Sequence, residues 1–320
     1  MDWITFAEFS LIGLFSGGLL ALVALGFVLI YKGTRAINFA MGEFMMLGAY
    51  LVYTGHSWLK MPLWLSLVFG LAGISLVALV VERFVLRPLA GQPVVSVLMV
   101  TIGLGAFLHG AVAAIWGGQN LEMPLLLPRK PLIWGDIMLP GAVFWSFWVA
   151  LAVIAGLSLY FRYSRTGIAM RAAASDPITA YALGIDVRRT QQLTWVFAGC
   201  VGAVAGTIVA SISSLSPALS GTALGVLAVV ILGGLDSVAG AIIAGLLVGW
   251  LESIAVGYFG GKARDLVPYV VVLAILMVRP YGLLGTRDIE RLCPPCASVI
   301  SEPVMPMMSP CSSPGCSAVG

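Results

Sequence analysis

From Leu193 to Leu235 no residue carries a charge, and the same holds from Gly141 to Phe161. A helix needs about 20 mostly apolar residues to cross roughly 30 Å of hydrocarbon, so uncharged runs of this length, repeated along one chain, exclude an ordinary soluble core. Only 10% of the 320 residues are charged, where soluble domains carry about 25%. In lipid every backbone polar group must be satisfied within its own element, which favours helices for such runs. The chain therefore reads as an all-α, polytopic transmembrane helical bundle.

Charges between the apolar runs set its expected topology. Phe6 to Ile30 is the first span, and Lys32 and Arg35 follow it at once, which places that connection in the cytoplasm. The N-terminus MDWITFAEF has no positive stretch and no small-residue cleavage site, so this segment is expected to be retained rather than removed as a signal peptide. Ile37 to Tyr53, Leu63 to Val81 and Val94 to Trp116 follow, and the loop after Trp116 is the longest on the outer face. Gly141 to Phe161 returns inward. Leu193 to Leu235 is too long for one pass and is interrupted by SISSLSPALSGT, so it is either two passes or one pass and a re-entrant segment. Ser237 to Tyr258 and Leu266 to Val278 complete the set, and Arg279, Arg287 and Arg291 put the C-terminal end inside. That makes eight or nine membrane segments. Residues 1–285 form the expected transmembrane domain, and residues 286–320, rich in Pro, Ser and Met, form an expected disordered cytoplasmic tail. The tail holds Cys293, Cys296, Cys311 and Cys316, whose spacing admits zinc, but disorder is the stronger reading of its composition.

Glycines recur at four-residue spacing, as Gly13 and Gly17, Gly202 and Gly206, Gly245 and Gly249. Such pairs let helix backbones approach closely where packing, not hydrophobicity, drives association.

Between the two uncharged runs lies a polar segment, Arg162 to Gln192, with Arg162, Arg165, Arg171, Arg188 and Arg189 against Asp176 and Asp186. Asp176 before Pro177 reads as an N-cap with proline at the first helical position, and Gly184 as the stop, which predicts a short closed helix over Pro177 to Leu183. Asp186 is placed to cap the next helix. A capped helix with the apolar residues Ile168, Met170, Ile178, Tyr181 and Leu183 suits docking on a protein partner better than it suits a polybasic lipid-binding patch.

Catalysis finds no support. No nucleophile with a base is evident, and GYFGGK at Gly257 to Lys262, followed by Ala263, lacks the spacing and the Ser or Thr of a phosphate-binding loop. The formal net charge of +3 is spread over many loops, which excludes nucleic acid as a partner. No cofactor or metal site is expected. Ionisable groups inside spans are costly and tend to face a cavity or a partner. Glu43, with Asn38 in the same segment, is the candidate for the translocation path, a structural role being the alternative. His109 reads as a satisfied polar contact, Glu252 as structural, and Asp236 as a turn residue or a cap for the following helix.

LVALGFVLIYKGTRAINFAMGEFMMLGAY near the N-terminus, GIAMRAAASDPITAYALGID in the polar segment, and VLAVVILGGLDSVAGAIIAGLLVG with VRPYGLLG toward the end together resemble the inner-membrane permease subunits of bacterial ABC importers for branched-chain amino acids. Close paralogues of that type carry urea or short amides. The resemblance implies a cytoplasmic coupling loop at 162–192, with Arg171, Ala172, Ala173, Asp176, Ala180, Leu183 and Gly184 in the docking role. It also implies a second related permease, two ABC ATPase subunits that hydrolyse the ATP, and a periplasmic or extracellular substrate-binding protein, with membrane lipid around the bundle. The tail after Gly285 departs from the short end of such permeases. A stand-alone secondary transporter or channel, with Glu43 as its ion site, is the rival from another class.

Overall fold

The computed structural model describes residues 3–34, 37–89, 92–123, 128, 130–134, 137–264, 266–279 and 282–285. The expected tail and its four cysteines lie outside them.

Close backbone approach builds the bundle. Helix α1 (Trp3–Thr34) has 32 residues, about 48 Å at 1.5 Å per residue, and its Gly13 and Gly17 face Gly245 and Gly249 of α10 (Val238–Phe259). A Cβ on Gly249 would lie 2.3 Å from the Gly17 Cα, and one on Gly17 would lie 2.8 Å from the Gly245 carbonyl oxygen. Only hydrogen fits there. The second pair works likewise: Gly202 and Gly206 of α8 (Val187–Ile212) receive Met41 and Met45 of α2 (Met41–Ser57), with the Met45 carbonyl 2.2 Å from where a Gly206 Cβ would stand. Small residues thus set the interfaces expected of packing in lipid.

Burial divides the helices into a centre and a rim. Two-thirds of the α1 and α8 spans are buried, 67% each, against 22% for α4 (Val94–Trp116) and 17% for α5 (Gly141–Tyr163). Helix α2 sits wholly inside, with Met41, Phe44, Met45, Met46 and Tyr50 almost inaccessible, walled by α3 (Leu63–Val81), α8 and α9 (Leu219–Gly233). The α3 helix runs on through a π turn over Glu82–Leu86, where buried Glu82 pairs with Arg87 at 3.3 Å.

All nine expected apolar segments are helical. Among the described residues, however, only six helices are long and apolar enough to cross a membrane by themselves. The other three, α2 with 17 residues, α9 with 15 and α11 (Val267–Val278) with 12, fall short. The second segment differs in its start: a span is expected from Ile37, but residues 37–40 are non-helical and α2 begins at Met41. In the Leu193 to Leu235 run only residues 213–218 of the polar interruption form a loop, its ends belonging to α8 and α9, and α9 is an incomplete pass of about 22 Å.

Two further differences concern connections. The long loop before α5 contains a small antiparallel hairpin, β1 (Leu132–Trp134) and β2 (Ile137–Leu139), where no strand is expected. At the start of α10 the capping side chain is not Asp236 but Ser237, whose hydroxyl accepts from the Gly240 N–H at 3.0 Å. Asp236 keeps the turn position also expected of it. After α11 the chain returns to the end of α9, where the Leu283 N–H donates to the Leu232 carbonyl at 2.8 Å and Leu284 to Gly233 at 3.2 Å. These bonds satisfy carbonyls that a buried helix end would leave unpaired.

Candidate functional site

Two shortened helices, α2 and α9, begin inside the bundle in contact with one another. The backbone of α2 at Gly42 packs on the Ser220 carbonyl of α9, 2.6 Å from an imagined Gly42 Cβ. Neither N-terminus has a side-chain cap, the flanking residues being Ala40 and Ala218. Helix N-termini carry about half a positive charge each, so this junction suits an acidic or electron-rich group.

Glu43 supplies one. It occupies the first turn of α2, where the dipole stabilises a carboxylate, and its Oε2 lies 3.4 Å from Nδ1 of His109 on α4. That separation serves charge pairing when the imidazole is protonated. The Ser220 hydroxyl, which donates to the Pro217 carbonyl at 3.1 Å, stands near the same carboxyl group, and Gly105 of α4 leaves open the space beside the Glu43 methylene groups. Asn38, 3% exposed, turns its Oδ1 to the Ala40 N–H at 2.9 Å, while its Nδ2 has no hydrogen-bond partner among the described residues. The structure thus puts Asn38 and Glu43 at one junction of α2, α4 and α9. A carboxylate, an imidazole, a hydroxyl and a spare amide donor stand within an apolar bundle, which equips the site for hydrogen bonding and charge pairing.

Sequence reading named neither Ser220 nor the partner of His109, which it took for a satisfied polar contact. The three side chains lie on separate apolar segments, and the one local signal was a polar interruption, SPALSG, that runs into the first turn of α9. Glu252, read as structural, is buried and faces Arg264 Nε at 3.6 Å.

The polar segment between α5 and α8 folds as two helices, α6 (Arg165–Ser175) and α7 (Pro177–Ala182). Only the second was expected, one residue longer. Asp176 caps it as predicted: Oδ1 accepts from the Thr179 N–H at 3.1 Å, and Oδ2 from the Thr179 hydroxyl. Gly184 ends it with φ +81°, a left-handed turn that favours glycine. Asp186 caps α8 through the Arg189 N–H at 3.1 Å.

The seven residues expected to dock a partner divide by direction. Ala173 and Ala180 are buried and seat the segment on the bundle, with Met170 beside them. Ala172 is half-buried, and Asp176 and Gly184 shape the turn. Leu183 points away, 76% exposed, and so does its neighbour Tyr181 at 77%. Arg171 lines a cavity with Lys32 and Arg162.

A family model described as the branched-chain amino acid transport system permease component matches residues 10–276. The high-affinity branched-chain amino acid transport system permease protein LivH of Escherichia coli strain K12 is 30% identical over 296 residues, covering 88% of this chain and 96% of that protein. BraD of Pseudomonas aeruginosa, described in the same words, is 31% identical over 296 residues with the same coverage. The guanosine ABC transporter permease protein NupQ of Bacillus subtilis is 26% identical over 296 residues, 85% of this chain and 90% of its own.

Proposed function

The chain belongs to the branched-chain amino acid transport permease family, and from that membership we propose that it is the membrane-spanning subunit of an ABC importer for branched-chain or other hydrophobic amino acids. The observation that carries the proposal is likeness over nearly the whole bundle, residues 10–276, together with relatives covered almost end to end. In this reading the chain sits in the bacterial inner membrane with its C-terminus in the cytoplasm. Residues 1–285 form the permease domain and 286–320 a separate cytoplasmic tail. It pairs with a second related permease, receives solute from a binding protein, and docks α7 with its flanks, within 162–192, on one of two ATPase subunits. ATP is hydrolysed on those partners.

Glu43 and Asn38 line the path. An amino acid crosses as a zwitterion, and a carboxylate and an amide donor together at the start of α2 offer one partner for each of its charges. Glu43→Gln keeps the shape and removes the charge. ATP-driven leucine uptake into vesicles is expected to fall about tenfold, a loss of about 1.4 kcal/mol, at unchanged protein level; undiminished uptake takes Glu43 off the path.

The guanosine-carrying relative favours a second reading, in which the family frame accommodates other solutes. Competition decides between them. Excess valine is expected to suppress labelled leucine uptake while urea and guanosine leave it intact, and suppression by guanosine or urea alone overturns the assignment to amino acids.

A further inference from the structure

Between the ends of α1 and α5 and the inner face of α6 lies a cavity of about 280 Å³ whose lining includes neither Asn38 nor Glu43. Leu25 and Leu29 of α1 and Leu157 and Phe161 of α5 line its apolar part. Its lining also includes three cations from three helices, Lys32, Arg162 and Arg171, and no carboxylate. Asp236, which is not among the lining residues, attracts Lys32, and Arg171 repels it more weakly. Among the described residues none of the three cations forms an ion pair; the Arg171 guanidinium donates to the Arg162 carbonyl at 3.4 Å, and the Arg162 guanidinium lies over the Tyr163 ring.

We propose that this cavity binds an anionic phospholipid, with the phosphate held among Lys32, Arg162 and Arg171 and an acyl chain laid along Leu25, Leu29, Leu157 and Phe161. Charge complementarity selects the head: three cations lining one cavity with no carboxylate among its lining residues are relieved by an anion, and basic pockets between membrane helices suit lipid phosphates. The apolar wall selects the tail, since inorganic phosphate would leave that surface unfilled. A free amino acid fits less well, because its ammonium would meet three cations and one acid outside the lining. Position agrees: Lys32 lies in the last turn of α1 and Arg162 in the last turn of α5, where spanning helices reach the membrane boundary. The sequence argued against a lipid patch in the polar segment because its arginines are sparse there; folding adds Lys32 from far upstream. A lipid in this cavity would tie α6 to α1 and α5.

The test is native mass spectrometry of the full-length chain purified with its partner subunits, probed with phosphatidylglycerol, phosphatidylcholine of the same acyl chains, oleate and inorganic phosphate. Phosphatidylglycerol is expected to be retained about tenfold better than phosphatidylcholine. Lys32→Gln with Arg162→Gln should abolish that preference, and Ser158→Trp, which fills the cavity and leaves all three cations, should lower retention to a similar degree. Equal retention of the two lipids, or retention indifferent to both variants, overturns the proposal. Displacement by inorganic phosphate as effective as by phosphatidylglycerol overturns the role of the chain, and preferential displacement by oleate overturns the phospholipid in favour of a free amphiphilic carboxylate. The readout is binding, so it stands or falls independently of the transported solute.

Discussion

Gly249→Val is expected to abolish accumulation of the folded permease. A Cβ at residue 249 would sit 2.3 Å from the Gly17 Cα and 2.6 Å from its nitrogen, and 2.9 Å from the Gly13 carbonyl oxygen. All three are backbone atoms of buried glycines of α1, so no rotamer change relieves the clash and the helices must separate. Overpacking of a core ordinarily costs about 1–3 kcal/mol, and separating α1 from α10 also forfeits the close contact on which association in lipid depends. The cost belongs at or above the top of that range. Gly225→Ala is the control, since nothing lies within 4 Å of a Cβ on this α9 glycine and alanine is the better helix former. Membrane abundance and the thermal unfolding midpoint in detergent are the measurements. Wild-type values for Gly249→Val would refute the packing described for α1 and α10.

A second substitution should leave the fold intact and remove the coupling. Tyr181 and Leu183 are 77% and 76% exposed at the end of α7, whereas Ala173 and Ala180 hold the segment to the bundle. Charging an exposed side chain usually changes stability by no more than about 0.5 kcal/mol, so Tyr181→Asp with Leu183→Asp is expected to reach the membrane in normal amount. If these residues fill a groove on an ATPase, each is an anchor whose loss costs about 2 kcal/mol or more, and two charged replacements add buried, unpaired carboxylates. ATP-driven uptake should fall at least about a hundredfold, with weakened recovery of the ATPase on purification. Normal uptake from this variant would remove α7 from the coupling role.

Much of this architecture was legible because lipid imposes simple rules. Long apolar runs with few or no charges located the apolar helices, Asp176, Gly184 and Asp186 announced the turns around α7, and the glycine pairs foretold close packing without naming their partners. Pairing could not be read: that Gly17 meets Gly249 and Gly206 meets Met45 depends on how helices more than 150 residues apart assemble. The site was half visible. Asn38 and Glu43 stood out as polar groups in an apolar stretch, but His109 and Ser220 join them only because α4 and α9 converge on α2. The start of α2 was placed four residues early, since apolar composition cannot distinguish a buried non-helical entry from a helix. The lining cations Lys32, Arg162 and Arg171 come from three helices for the same reason, which is why no local charge cluster advertised them.

The central claim is that this chain forms the path and another chain supplies the energy. Uptake of labelled leucine into proteoliposomes measures it most directly, comparing the purified chain alone with the chain reconstituted with a second permease, the ATPases and a binding protein. The account predicts uptake only from the full assembly and only with hydrolysable ATP inside or outside, wherever the ATPases face. Solute accumulation by the chain alone, without ATP, would contradict it and return Glu43 and His109 to the role of an ion-coupled transporter.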